Sequence, residues 1–181
     1  MAQMDLGDKS PMRIAYDAGG KYLGLGILQA SLDASTGDML ELGYFELRDA
    51  TSLECMSTPD RVTLTIVALA QYLLEPTESI IALETVVIQG VRFFAVGTAF
   101  DATEGSMNNV KRGRLLLLEP AFSFDDQTWG IKLQGELNVA GPVYAVQPVR
   151  EYVAVASQNK VGLPGIELCV VLTFRSRFTK P

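Results

Sequence analysis

Lys111, Arg112 and Arg114 crowd three cations around Gly113, the one dense basic cluster in the chain. Cations beside the backbone N–H groups of a glycine-containing loop suit a phosphate or carboxylate, so the cluster is a candidate contact for nucleic acid or an acidic partner. The competing and preferred reading is a solvated hairpin loop whose charge is balanced by Asp101 and Glu104. Other constellations are weaker. Asp125 and Asp126, with Asp101 and Glu104, suggest a carboxylate metal site, but their spacing matches no ligand set and acidic loop residues are ordinarily solvated. The stretch Asp17-Ala18-Gly19-Gly20-Lys21 superficially resembles a phosphate loop. Lys21 is followed by Tyr22 rather than Ser or Thr, and the flanks read as strands, so a hairpin turn is expected.

The chain contains no histidine, which removes the commonest general base and metal ligand and every Ser-His or Cys-His pair. Cys55 and Cys169 are too few for a disulfide framework and lack metal-ligand spacing, so two buried, reduced thiols are expected. No catalytic constellation, metal set or cofactor is predicted. A formal net charge of -6 argues against whole-domain attraction to a phosphate backbone, leaving any nucleic-acid role local or indirect. Trp129, Tyr144, Tyr152, Phe93 and Phe94 are candidates for a binding surface, though core positions in packed sheets explain most of them more simply.

The elements that must position these side chains are strands. From Val91 to Glu119 the apolar run Phe93-Phe94-Ala95-Val96-Gly97-Thr98-Ala99 leads through a polar loop into Leu115-Leu116-Leu117-Leu118-Glu119, which reads as one hairpin of a propeller blade. Its first half recurs as Tyr22-Leu23-Gly24-Leu25-Gly26 and Tyr152-Val153-Ala154-Val155-Ala156, with Phe94 as the equivalent aromatic in the middle copy. In each copy a small residue would allow close approach of a neighbouring backbone. Turn signals at Ala18-Gly19-Gly20, Ser35-Thr36-Gly37-Asp38, Gln89-Gly90, Asp125-Asp126 and Ala140-Gly141-Pro142 punctuate many short strands, predicting an all-β fold. The run Val62 to Leu74 competes for helix. It is shorter than the roughly 20 residues a bilayer requires, so no membrane segment is predicted.

The predicted fold is a β-propeller fragment of about two and a half four-stranded antiparallel blades, at 12–58, 78–139 and 142–161. Residues 1–11 are expected to be disordered, and to be neither signal nor anchor, and 162–181 to form a divergent tail. A propeller closes with about four to eight blades, so these sheets would not complete a circle.

Several motifs in order carry a resemblance: Arg13-Ile14-Ala15-Tyr16 before Tyr22-Leu23-Gly24; Phe45 to Glu54; Phe94-Ala95-Val96-Gly97-Thr98-Ala99; Lys111-Arg112-Gly113-Arg114 with its apolar strand; Gly141-Pro142-Val143-Tyr144-Ala145-Val146; and Ala156-Ser157-Gln158-Asn159-Lys160-Val161. Their order resembles the family containing the large subunits of the damage-specific DNA-binding protein and of the cleavage and polyadenylation specificity factor. The matching segment looks like the start of that family's third propeller. By the same comparison Arg61 to Gln71 looks inserted, and the chain departs from the pattern after Val161; one or both stretches are expected to be non-family sequence in a truncated gene product.

The resemblance implies a nuclear scaffold, with the cytoplasm as a second location, for protein partners such as substrate receptors or other subunits of a large complex. Nucleic acid would be met mainly through that complex, and no membrane is involved. The first reading is an adaptor of a cullin-RING ubiquitin ligase in DNA-damage repair, without the propeller that docks the ligase. The alternative is a subunit of the messenger-RNA 3′-end cleavage and polyadenylation machinery. A small carboxylate-dependent enzyme is a third reading, against which the absence of histidine and of a nucleophile motif weighs.

Overall fold

A computed structural model describes residues 6–32, 36–37, 39–50, 70–101, 112–125, 128–150, 152–157 and 169–172. Among these residues the chain forms strands and no helix. The first sheet is the antiparallel meander β1 (Lys9–Asp17), β2 (Tyr22–Leu32), β3 (Met39–Asp49) and β4 (Gln71–Leu73). The second contains β5 (Glu78–Ile88), β6 (Val91–Phe100), β7 (Arg112–Ser123) and β8 (Thr128–Ala140). The third contains β9 (Val143–Val149), β10 (Tyr152–Ser157) and β11 (Cys169–Leu172). The first strands meet, β5 touching both β1 and β9, while later strands of each sheet step outward. Successive antiparallel sheets with converging first strands form an arc of a β-propeller.

Sequence period explains the stacking. Side chains alternate across a strand, so a continuous apolar run can serve a sheet buried on both faces. Phe94, Val96, Leu116 and Leu118 pack back on Phe45 and Leu47 of the first sheet. Their immediate neighbours Phe93, Ala95, Leu115 and Leu117 pack forward on Val143, Val146, Val153 and Val155 of the third. As expected, Phe94 to Ala99 and Leu115 to Glu119 adjoin in one sheet, with Phe94 opposite Leu118 and Gly97 opposite Leu115.

The same alternation corrects the repeat. Tyr22 faces forward against Trp129 of the second sheet, whereas Phe94 faces back, its ring centroid 5.0 Å from that of Phe45. The residue of the second sheet that faces as Tyr22 does is Phe93, one position earlier; a shift of one residue exchanges the two faces of a strand. The close neighbour at Gly26 is a side chain, and at Gly97 a side chain together with the Val143 carbonyl. A Cβ on Gly26 would lie 2.8 Å from an Ile80 methyl, and one on Gly97 would lie 2.5 Å from a Val143 methyl.

Two boundaries differ from expectation. Lys9 to Pro11, placed in the disordered N-terminus by sequence, pair with Gln29, Leu28 and Ile27, and Lys9 reaches the buried Glu46 carboxylate. The fourth strand of the first sheet comes from Gln71–Leu73, beyond the 12–58 expected for that blade, in the run for which helix competed and partly in the stretch that looked inserted. Cys169–Leu172, within 162–181, pairs with Val153–Ala156 and completes the three strands of the third sheet.

Candidate functional site

The β6 end, the β7 start, the β4–β5 connection and the β8 end meet at one rim of the second sheet, and there they bring together the charged residues. Antiparallel pairing sets Glu78 opposite Phe100, and Arg114 opposite Asn138, two residues beyond Glu136. On the face turned toward the first sheet, Arg114 is buried, its side chain only 6% exposed, against a Glu78 side chain that is 0% exposed.

Glu78 anchors the cluster. Its Oε1 accepts from Arg114 Nε at 2.8 Å and from the Thr98 hydroxyl at 2.5 Å. Its Oε2 accepts from Arg114 Nη2 and, at 3.1 Å, from the Glu75 backbone N–H. Arg114 Nη1 donates to Glu75 at 2.8 Å and to Glu136 at 3.0 Å. The backbone N–H of Arg114 donates to Thr98 Oγ1 at 3.0 Å. Hydrogen bonding to Glu78 raises the Arg114 pKa despite the opposing effect of burial, with Glu136 adding to the rise. The guanidinium is therefore a permanent cation.

Arg112 is placed differently. Its side chain is 56% exposed, ion-paired with Glu75 at 3.0 Å, and its guanidinium stacks 3.6 Å from the centroid of the Phe100 ring. Three carboxylates, Glu75, Glu78 and Glu136, thus face the two guanidiniums of Arg112 and Arg114. Lys111 lies outside the described residues, as do Glu104 and Asp126. Asp101, expected to balance the cations, instead sits at positive φ and donates its backbone N–H to the Thr77 carbonyl at 2.9 Å.

The structure adds Glu75, Glu78, Thr98, Phe100 and Glu136 to the site. Glu75 and Glu78 flank a Pro-Thr turn, a visible concentration of acid, but nothing local in the sequence ties them to Arg114. The arrangement fastens the start of β7 to the β4–β5 connection. Among the described residues every buried side-chain polar atom has a hydrogen-bond partner, and no group of three or more acidic, Cys or His residues is disposed to hold a metal.

The other sequence candidates resolve locally. Asp17 caps its own hairpin turn, accepting from the Gly19 and Gly20 N–H groups at 3.1 Å, and pairs with Arg92 at 3.0 Å. Phe93 and Phe94 are core residues, Trp129 is half-buried, and Tyr144 and Tyr152 are exposed.

A second buried carboxylate, Glu46, lies on the face of the first sheet turned away from the second. It accepts from Lys9 Nζ at 3.3 Å and Gln71 Nε2 at 2.8 Å and pairs with Arg48. Beside it is a cavity of about 350 Å³ lined by Lys9, Gln29, Leu42, Tyr44, Gln71 and Leu73. Burial acts to lower the Lys9 pKa, but hydrogen bonding to Tyr44 and the Glu46 charge outweigh it and leave the pKa raised. The ammonium is accordingly part of the sheet's own polar network.

The family model for the CPSF A subunit region matches residues 53–168, a span that takes in the whole second sheet and runs through Arg61 to Gln71. No curated protein matches the chain.

Proposed function

The chain belongs to the CPSF A subunit region family, and from that membership we propose that it is a non-catalytic propeller scaffold that holds protein subunits together in a nuclear complex. The observation that carries this reading is the family match over sheets whose interior is committed to packing, leaving rims and turns for recognition. The internally paired Arg114 cluster supports a structural role for its buried members. Among the described residues of the basic cluster, Arg112 is the cation that a partner's acidic group would reach, because its side chain is half-exposed whereas that of Arg114 is enclosed. Nucleic acid is then contacted chiefly through other subunits, in keeping with a net charge of -6.

Two assignments lie within this reading. One is the adaptor of a cullin-RING ubiquitin ligase acting on DNA damage, to which the ordered motifs point. The other is the messenger-RNA 3′-end cleavage and polyadenylation machinery, favoured by the description of the matching family. Affinity purification of the tagged protein from nuclear extract, with its stoichiometric partners identified by mass spectrometry, tests both. Ligase substrate receptors would assign the repair role and 3′-end processing subunits the alternative; a protein recovered outside the nucleus with neither set overturns the proposal.

A further inference from the structure

At the rim opposite the Arg114 cluster, four aromatic rings make one continuous ladder. Tyr22 meets Trp129 at 5.0 Å between centroids, Trp129 meets Phe122 at 5.2 Å, and Phe122 meets Phe124 at 5.2 Å. The ladder starts half-buried at the junction of the first and second sheets and climbs to the β7–β8 turn, where Phe124 is 85% exposed. Packing within the chain accounts for the Tyr22 and Trp129 end. It does not account for the Phe122 and Phe124 end, where large apolar surface stays in water next to the half-buried Trp129, the composition of an interface hot spot.

The charges nearby select the partner. Asp17 and Arg92 neutralise one another at 3.0 Å. Asp125, beside Phe124 in the turn, is exposed and makes no ion pair among the described residues. Ring faces carry negative quadrupole density, and a carboxylate beside them makes a surface complementary to a cation. A guanidinium fits better than an ammonium because its plane can lie on a ring while its N–H fork meets the carboxylate. The chain already contains this arrangement: Arg112 lies 3.6 Å over Phe100 with Glu75 at 3.0 Å. Single-stranded nucleic acid fits worse. Its phosphates would face Asp125, and the successive rings are turned by 64°, 58° and 88°, so they offer no flat stacking platform.

We propose that the Phe122–Phe124–Trp129 ladder, with Asp125, is a docking surface for an arginine-bearing segment of a protein partner. This inference rests on the scaffold reading only in taking the partner to be a protein.

Trp129 is the single tryptophan of the chain, so its fluorescence reports on the site directly. The full chain is titrated with the capped peptide Pro-Arg-Pro-Arg-Pro, with its citrulline and lysine counterparts, and with a single-stranded oligouridylate. The arginine peptide should give a saturable change in Trp129 emission and bind at least about 5-fold more tightly than the citrulline peptide, with lysine between them. Phe124→Ala and Asp125→Asn should each weaken it by about 2- to 5-fold. Both substitutions are at exposed turn positions, and an unchanged urea midpoint checks that each variant is folded. Equal affinity for the arginine and citrulline peptides, tighter binding of the oligouridylate, no emission change, or indifference to Phe124→Ala overturns the proposal. Failure here with nuclear subunits still co-purifying removes the docking surface alone; peptide binding without those subunits removes the scaffold assignment alone.

Discussion

Replacing Arg114 with Leu should be among the most damaging single changes to this fold. The substitution leaves the fully enclosed Glu78 carboxylate with the Thr98 hydroxyl and the Glu75 N–H but without its cation. Two charge-assisted hydrogen bonds to Glu78 disappear, each worth about 1.5–3 kcal/mol. Removing one member of a buried pair typically costs about 3–5 kcal/mol, in agreement with that sum. The contacts to the more exposed Glu75 and Glu136 add at most about 1 kcal/mol each. Arg112→Ala is the control: an exposed pair worth about 0.2–1 kcal/mol and a cation–π contact worth about 0.5–1 kcal/mol should together cost no more than about 2 kcal/mol. Urea unfolding followed by Trp129 fluorescence and circular dichroism resolves the two, since at a slope of about 2 kcal/mol/M the Arg114 variant loses about 2 M in midpoint. The double substitution Arg114→Leu with Glu78→Met should recover much of the loss, because no charge is then stranded. An Arg114→Leu variant no less stable than Arg112→Ala would refute the reasoning that burial gives the pair its weight.

Three further outcomes are expected. Gly113→Ala should cost about 1–3 kcal/mol in the same unfolding assay, because the new methyl would lie 2.5 Å from the carbonyl oxygens of Thr98 and Gly141. Phe45→Ala, at a fully buried ring against Phe94, should cost about 3–5 kcal/mol and leave a cavity between the first two sheets. Burial raises the pKa values of Tyr22, Tyr44 and Tyr72 above their ordinary 10.0, so the folded chain holds these protons more tightly than the unfolded one. Stability should therefore be undiminished by these groups below about pH 10 and fall as pH rises through the raised values, with tyrosinate absorbance appearing as the urea midpoint drops.

Much of the sheet architecture can be read from the chain because its signals are short-range. Leu115 to Leu118 is too short for an ordinary helix and apolar on both faces, and the structure uses both faces. The Asp17 turn is a local hydrogen-bond motif and appears as expected. What pattern could not supply was pairing between distant segments. Gln71–Leu73 becomes strand because Tyr44 to Glu46 offers it a ladder, a choice that the apolar run Val62 to Leu74 does not encode. The aromatic repeat was read one residue out of register in the middle copy, since composition alone does not say which face a strand residue takes. For the candidate site, Arg112 and Arg114 stand out by charge, but neither pairs with Asp101, and Glu104 lies outside the described residues. Glu75, Glu78 and Glu136 reach Arg114 through sheet pairing and through the connection between two sheets.

The position of the second sheet bears on how the chain opens. Phe93 to Phe100 is buried without interruption, with alternate side chains sealed by the first and third sheets. When each layer touches only its neighbours, the equilibrium approximates a one-dimensional chain of coupled units, and an interior unit is released only after a neighbour has given way. Backbone amides of β6 and β7 should therefore exchange with solvent only in the largest openings, while those of β4 and β11, short strands far from this layer's centre, exchange through local fraying. Recognition at the rims can then vary from one turn to the next while the layer beneath them holds its hydrogen-bond ladder.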